Sequence, residues 1–262
     1  MNGPIVSELK SGVLRIALKD PERRNAISLE MLEALAEALQ AAEQTPDARV
    51  VLLHAHGAAF SAGMDLKRVD LGDAEVAERF AARLASVYRN LQRIPLPVLC
   101  AVDGPAMGGA VGLVLAADLI FAGPSARFAL SETRIGLVPA LVSVVARRRL
   151  TAGKLKALAV SGTTVDASEA YRLGMVDFLA EQSALREAED FARKLLRENS
   201  GEAITRTKRF LSGSEPADLD QELDRAQVEF RAAAASASAR AGLAAFREKR
   251  PLNWGEPNEV GM

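Results

Sequence analysis

The strongest constraint on the fold is a pattern that recurs three times in the first two thirds of the chain: a short apolar run, a glycine-rich or polar turn, then a helical stretch. Residues 12–18 (GVLRIAL) pass through 19–26 (KDPERRNA) into 28–44 (SLEMLEALAEALQAAEQ). There Ser28 can N-cap a helix on which Leu29, Leu32, Leu35, Ala36 and Leu39 recur at helical spacing. Residues 49–56 (RVVLLHAH) lead through 57–63 (GAAFSAG) to 64–69 (MDLKRV) and a polar helix near 74–93. Residues 97–109 (PVLCAVDGPAMGG) enter 110–119 (AVGLVLAADL), which returns to a strand at 119–123. This alternation implies an α/β layer arrangement, and the nearly continuous apolar strands imply sheets covered on both faces.

After about residue 181 the strand signal stops. Residues 181–199, 201–211 and 218–250 read as helices, and the stretch 232–239 (AAAASASA) has too little bulk to build a core of its own. Such a tail is expected to pack across another surface, for example a second subunit.

Charge and sulfur content narrow the function. With 33 basic against 34 acidic residues and no long basic block, nothing asks for nucleic acid. The N-terminal residues lack the charged and apolar regions of a signal peptide, and no apolar run approaches the roughly 18 residues of a membrane span, so a cytoplasmic protein is expected. The single cysteine, Cys100, sits among apolar residues and reads as a small buried hydrophobe. With only His54 and His56 besides, a zinc site is not expected.

Residues 103–119 raise a sharper question. They read as a buried helix whose opening turn spends Gly108, Gly109 and Gly112, each costing about 1 kcal/mol against alanine. A loop entering a helix turns its first N–H groups outward, where they can meet an anion or a developing oxyanion, and glycine lets a substrate approach. Close strand–helix packing explains the same glycines equally well. The spacing fits neither a dinucleotide loop nor a phosphate loop.

Other motifs carry two readings each. Ser61 lies in an approximate hydrolase elbow, but both histidines precede it, against the order that fold requires. His54 and His56 share a strand face and are expected to be ordinary strand-end histidines with satisfied nitrogens. Glu132, after Ser131, either decorates a helix start or serves as an acid–base with a raised pKa. Arg147, Arg148, Arg149, Lys154 and Lys156 read as a solvated helix face.

Taken in order, 23–28 (RRNAIS), 59–67 (AFSAGMDLK), 103–122 (DGPAMGGAVGLVLAADLIFA), 126–139 (ARFALSETRIGLVP), 166–177 (DASEAYRLGMVD) and 245–250 (AFREKR) resemble the crotonase, or enoyl-CoA hydratase and isomerase, superfamily. The resemblance covers nearly the whole chain. It implies a crotonase-like spiral of repeated ββα units over residues 1–195 and a C-terminal helical trimerisation region over 196–262, assembled as a homotrimer or a dimer of trimers. It implies an oxyanion hole from the N–H groups of Met64 and Gly109, with Glu132 as acid–base. Gly112 stands where the two-glutamate hydratases carry a second carboxylate.

Further contacts carried by the resemblance place Arg24, Ala26, Ala62, Asp65 and Leu66 beside coenzyme A, with Phe246 and Lys249 reaching its nucleotide. For Asp65 a helix-capping role is an equal alternative. Coenzyme A enters as part of the substrate, and no metal or redox cofactor is implied. The leading expectation is hydration of a 2-enoyl thioester or the reverse dehydration, with Δ3,Δ2 double-bond isomerisation second. A dehydratase acting on an acyl-carrier-protein thioester in polyketide β-branching, or a non-catalytic family member, completes the range. Ala140, Leu141, Val142 and Ser143 replace a glycine-rich stretch of many relatives and are expected to reshape the acyl pocket.

Overall fold

The computed structural model describes residues 3–70 and 73–212, together with Ala237, Ala241 and Glu248. The chain opens with an antiparallel pair, β1 (Ile5–Lys10) and β2 (Val13–Leu18), followed by α1 (Leu29–Gln44) and β3 (Val50–Ala55). Next come α2 (Ala74–Arg93), β4 (Val98–Val102), β5 (Pro105–Met107), α3 (Gly109–Leu115), β6 (Leu119–Ala122) and β7 (Arg127–Ala129). Beyond them lie α4 (Ala140–Ala146), α5 (Ala152–Ser161), β8 (Val165–Asp166), α6 (Ala167–Leu173), β9 (Phe178–Leu179), α7 (Ala184–Glu198) and α8 (Gly201–Ser212). The expected caps form: Ser28 Oγ accepts the Met31 N–H at the start of α1. Of residues 64–69, between the second turn and α2, Leu66, Lys67 and Arg68 form a turn and Met64 bridges Ile27.

Two sheets result. Six strands run in the order β1-β2-β3-β4-β6-β9, all parallel after the first pair, and a small second sheet has the order β5-β7-β8. Alternate residues of the central strands enter two separate cores. Leu14, Ile16, Val51, Leu53, Val98 and Cys100 face a large cluster containing Leu32, Leu35 and Leu39 of α1 and Val87 and Leu91 of α2. Val13, Val50, Leu52, Leu99 and Phe121 face α7, which presents Ala184, Ala188, Ala192 and Leu196 at successive turns. Small residues at that spacing let the helix lie close to the sheet. The two-sided apolar strands thus do what their pattern implied, each buried leucine contributing about 1.5–3 kcal/mol.

The first helix of the C-terminal helical region, α7, packs on a surface of its own chain: it covers the sheet and runs from Ala184 to Glu198. Helix α8 docks on the same chain through Lys208, whose Nζ donates to the carbonyls of Leu91 and Leu96 and lies 2.7 Å from the Asp118 carboxylate. The remaining tail, with the alanine–serine stretch and most of the helix read over 218–250, lies outside the described residues.

Candidate functional site

Three loops that leave strands converge on one cavity. The extended segment at Ser61 bridges Ala106 of β5, and β5 pairs in parallel with β7. Met64, Gly109 and Glu132 follow these three neighbouring segments, so strand pairing alone brings them together. Open α/β folds place ligands beyond the carboxyl ends of strands for this reason. The cavity has a volume of about 390 Å³ and lies between α2 and α4. Met64, Gly109 and Glu132 all line it, as do Ala62 and Leu66.

Two N–H groups are left without acceptors. Ile27 donates to the Gly63 carbonyl and accepts from the Asp65 N–H, which turns the intervening Met64 N–H away from Ile27. Gly109 is the first residue of α3 and has no preceding helical carbonyl. Neither N–H donates to an acceptor among the described residues.

The glycine question of residues 108–112 has specific answers. Gly108 adopts φ +53° and ψ −127°, closed to side-chain-bearing residues, and its added Cβ would lie 3.3 Å from Glu132 Oε1. Gly112 answers to a different neighbour: a Cβ there would fall 2.2 Å from Cζ and Oη of Tyr88. Tyr88, from the middle of α2, is almost completely buried, and its hydroxyl donates to the Gly109 carbonyl at 2.5 Å. Nothing in the local sequence marked Tyr88, because its partner lies on another helix.

Glu132 opens a short 3-10 turn, Glu132–Ile135, and Ser131 does not cap it through its side chain. The capping half of the helix-start reading therefore fails, while Glu132 does stand in the first turn. Glu132 Oε2 is buried with no hydrogen-bond partner. Burial pushes the carboxyl above its usual range, partly offset by a backbone N–H of the same residue. It is the one carboxylate among the cavity-lining residues described.

The outer contacts are less concentrated. Arg24 is exposed, in a left-handed conformation, and its carbonyl accepts the Ala62 N–H. Arg24, Ala26 and Asp65 do not line the cavity. Asp65 is buried and accepts the Lys67 N–H, the geometry of a capped turn. Phe246 and Lys249 lie outside the described residues. The sequence reading missed Asn25, fully buried between Arg24 and Ala26 in the chain, whose amide donates to the carbonyls of His56 and Ala59 and ties the 24–26 turn to the site loop. Of Ala140, Leu141, Val142 and Ser143, the first three line the cavity together with Pro139, and Ser143 does not. Among the described residues no three His, Cys, Asp or Glu side chains are grouped to hold a metal ion.

Ser61 is fully buried and its hydroxyl accepts the Gly63 N–H, a turn function. His54 departs from expectation: it is buried, yet Nδ1 has no partner. Burial, then His56 and Arg15, lower its pKa to about 4. Between pH 6.5 and 4 the unfolded chain therefore takes up a proton that the native state refuses. The stability from this group is complete above pH 6.5 and falls as the pH drops through that window, by up to about 3 kcal/mol. His54→Gln is expected to flatten that portion of a plot of unfolding free energy against pH. An unchanged slope would place the titrating group elsewhere.

Solved structures supply the class. The chain superimposes on an enoyl-CoA hydratase from Mycobacterium smegmatis with a TM-score of 0.89 at 28% identity, over 97% of this chain and 100% of that one, which makes it a crotonase-fold protein. It belongs to the enoyl-CoA hydratase/isomerase family, whose sequence model matches residues 8–257. It is 32% identical to the 1,2-epoxyphenylacetyl-CoA isomerase of Escherichia coli, over 94% of this chain and 96% of that protein. With the cyclohexa-1,5-dienecarbonyl-CoA hydratase of Thauera aromatica the identity is 30%, over 94% of each. The chain is thus an enzyme of the enoyl-CoA hydratase or isomerase kind. No helix among the described residues is long and apolar enough to cross a membrane.

Proposed function

We propose that the protein binds an enoyl thioester, receives its carbonyl oxygen on the N–H groups of Met64 and Gly109, and moves a proton with Glu132. The observation that carries this reading is the buried, unpartnered Oε2 of Glu132 in a cavity with no second carboxylate among its described lining residues. One carboxylate suffices for Δ3,Δ2 isomerisation. It takes a proton from C2 of a 3-enoyl thioester, the electron pair passes into the dienolate, and the same proton returns at C4 as the double bond settles between C2 and C3. Each donor to the enolate oxygen is worth about 2.7–4 kcal/mol in comparable sites. Isomerisation therefore moves ahead of hydration, which the sequence alone placed first.

Hydration is the second reading, supported by likeness to a protein named as a hydratase. There Glu132 takes a proton from water as its oxygen adds to C3, and returns one at C2. Coenzyme A is the proposed thioester carrier, a carrier protein the alternative, and a homotrimer or dimer of trimers the proposed assembly. Incubation with a 3-enoyl-CoA and with a 2-enoyl-CoA in ¹⁸O water separates the reactions by mass. Conversion of the 3-enoyl substrate at constant mass is expected; rapid gain of labelled water by the 2-enoyl substrate would make hydration the primary activity.

A further inference from the structure

Gly112 and Tyr88 form a pair in which each dictates the other. The Cα–Cβ direction of residue 112 points into the phenol, and the nearest atoms, Cζ and Oη at 2.2 Å and Cε1 at 2.8 Å, leave no room for any side chain there while Tyr88 is present. The ring is held from behind by burial on α2, and its hydroxyl is committed as a donor to the Gly109 carbonyl. The same hydroxyl would lie 3.5 Å from a Cβ on Gly109, so the phenol stands directly beside the N-terminal residue of α3 and lines the same cavity as Glu132.

From this geometry we infer that Tyr88 determines the specificity of the site: its ring closes the wall on which a second water-activating group would stand, and its hydroxyl holds the carbonyl of Gly109, the residue whose N–H faces the enolate oxygen. The inference rests on the enoyl-thioester reading above and adds what selects between its two reactions. A neutral phenol whose proton is already given to a carbonyl does not take a proton from water. Burial and the neighbouring Glu132 carboxylate both hold that phenol in its neutral form. The site is left with one base and an apolar wall, which suits a proton passed between two carbons. Tyr88 thus acts by shape and by positioning Gly109.

The test exchanges the phenol for a carboxylate. Purified wild type, Y88F and Y88A/G112E are given the same 3-enoyl-CoA and 2-enoyl-CoA in ¹⁸O water, and the ratio of hydrated to isomerised product is read by mass. Y88A/G112E is expected to raise that ratio at least about tenfold, since a positioned acid–base contributes rate factors larger than this. Y88F keeps the ring and should leave the ratio unchanged, while kcat falls about threefold to tenfold at nearly constant KM, the effect of one lost neutral hydrogen bond. If circular dichroism shows that the double variant does not fold, Y88S opens the same wall to water and should shift the ratio in the same direction.

A folded variant that binds acyl-CoA as wild type does, yet gives the wild-type ratio, would overturn the role assigned to Tyr88. A wild type that turns over neither enoyl thioester would overturn the reading of the site itself, a distinct outcome.

Discussion

On the proposed reading, Glu132→Gln is expected to lower turnover of the enoyl thioester by about 10²–10⁴-fold, the contribution of a positioned general acid–base, and to leave the protein at least as stable as before. The amide keeps the shape of the side chain but neither accepts nor returns a proton. The stability half follows from the same burial. Because the native state raises the Glu132 pKa, the folded protein favours the protonated carboxyl, and that preference turns into a penalty once the pH passes the raised value. The glutamine variant escapes the penalty at pH 8 and loses its advantage below the ordinary carboxylate range, where both side chains are neutral. Turnover with melting curves at pH 5 and pH 8 checks both statements. A variant that melts earlier than wild type at pH 8 would mean that the carboxylate supports the fold, and equal turnover would remove it from the chemistry.

That Met64, Gly109 and Glu132 line one cavity was half legible in advance. Met64, Gly109 and Glu132 could be located because each sits in a motif continuous in the chain, and the pairing of β5, β7 and the 61–64 segment then brings the motifs together. Alternating apolar strands likewise announced the two-faced sheet. What stayed hidden depends on partners distant in sequence. Tyr88 meets Gly109 across 21 residues, and Asn25 reaches His56 and Ala59 across 31 and 34. A sequence read locally showed three glycines in one turn. Only the packing of α2 on α3 reveals that Gly112 answers to a phenol while Gly108 answers to a carboxylate.

The run Arg147, Arg148, Arg149 shows the same limit, and it carries the second large effect. Three consecutive arginines read as one solvated face. Arg147 and Arg148 are indeed exposed, but the Arg149 side chain is only 16% exposed and serves as a clamp. One of its terminal nitrogens lies 3.0 Å from both carboxylate oxygens of Asp177, and the other donates to the carbonyls of Ala117 and Asp118 at 2.9 and 2.7 Å. Asp177 in turn accepts the Ile120 N–H. The guanidinium therefore joins the segment after α4 to the turn between α3 and β6 and to the approach to β9.

Arg149→Met leaves the half-buried Asp177 without its counter-charge and strands two carbonyls, at about 1–3 kcal/mol for each acceptor left without a partner. Arg147→Met and Arg148→Met should stay within about 0.5 kcal/mol of wild type. Arg149→Lys should recover only part of the loss, because a single ammonium nitrogen cannot replace two separate guanidinium nitrogens, one on the carboxylate and the other on both carbonyls. Urea midpoints at fixed protein concentration, with an unchanged slope, would measure all four variants on one scale. If Arg149→Met shifted the midpoint no more than its two neighbours, the clamp would be ornamental. A large loss for Arg149 alone would show that the turn after α3, at Ala117 and Asp118, is held by a residue outside the cavity.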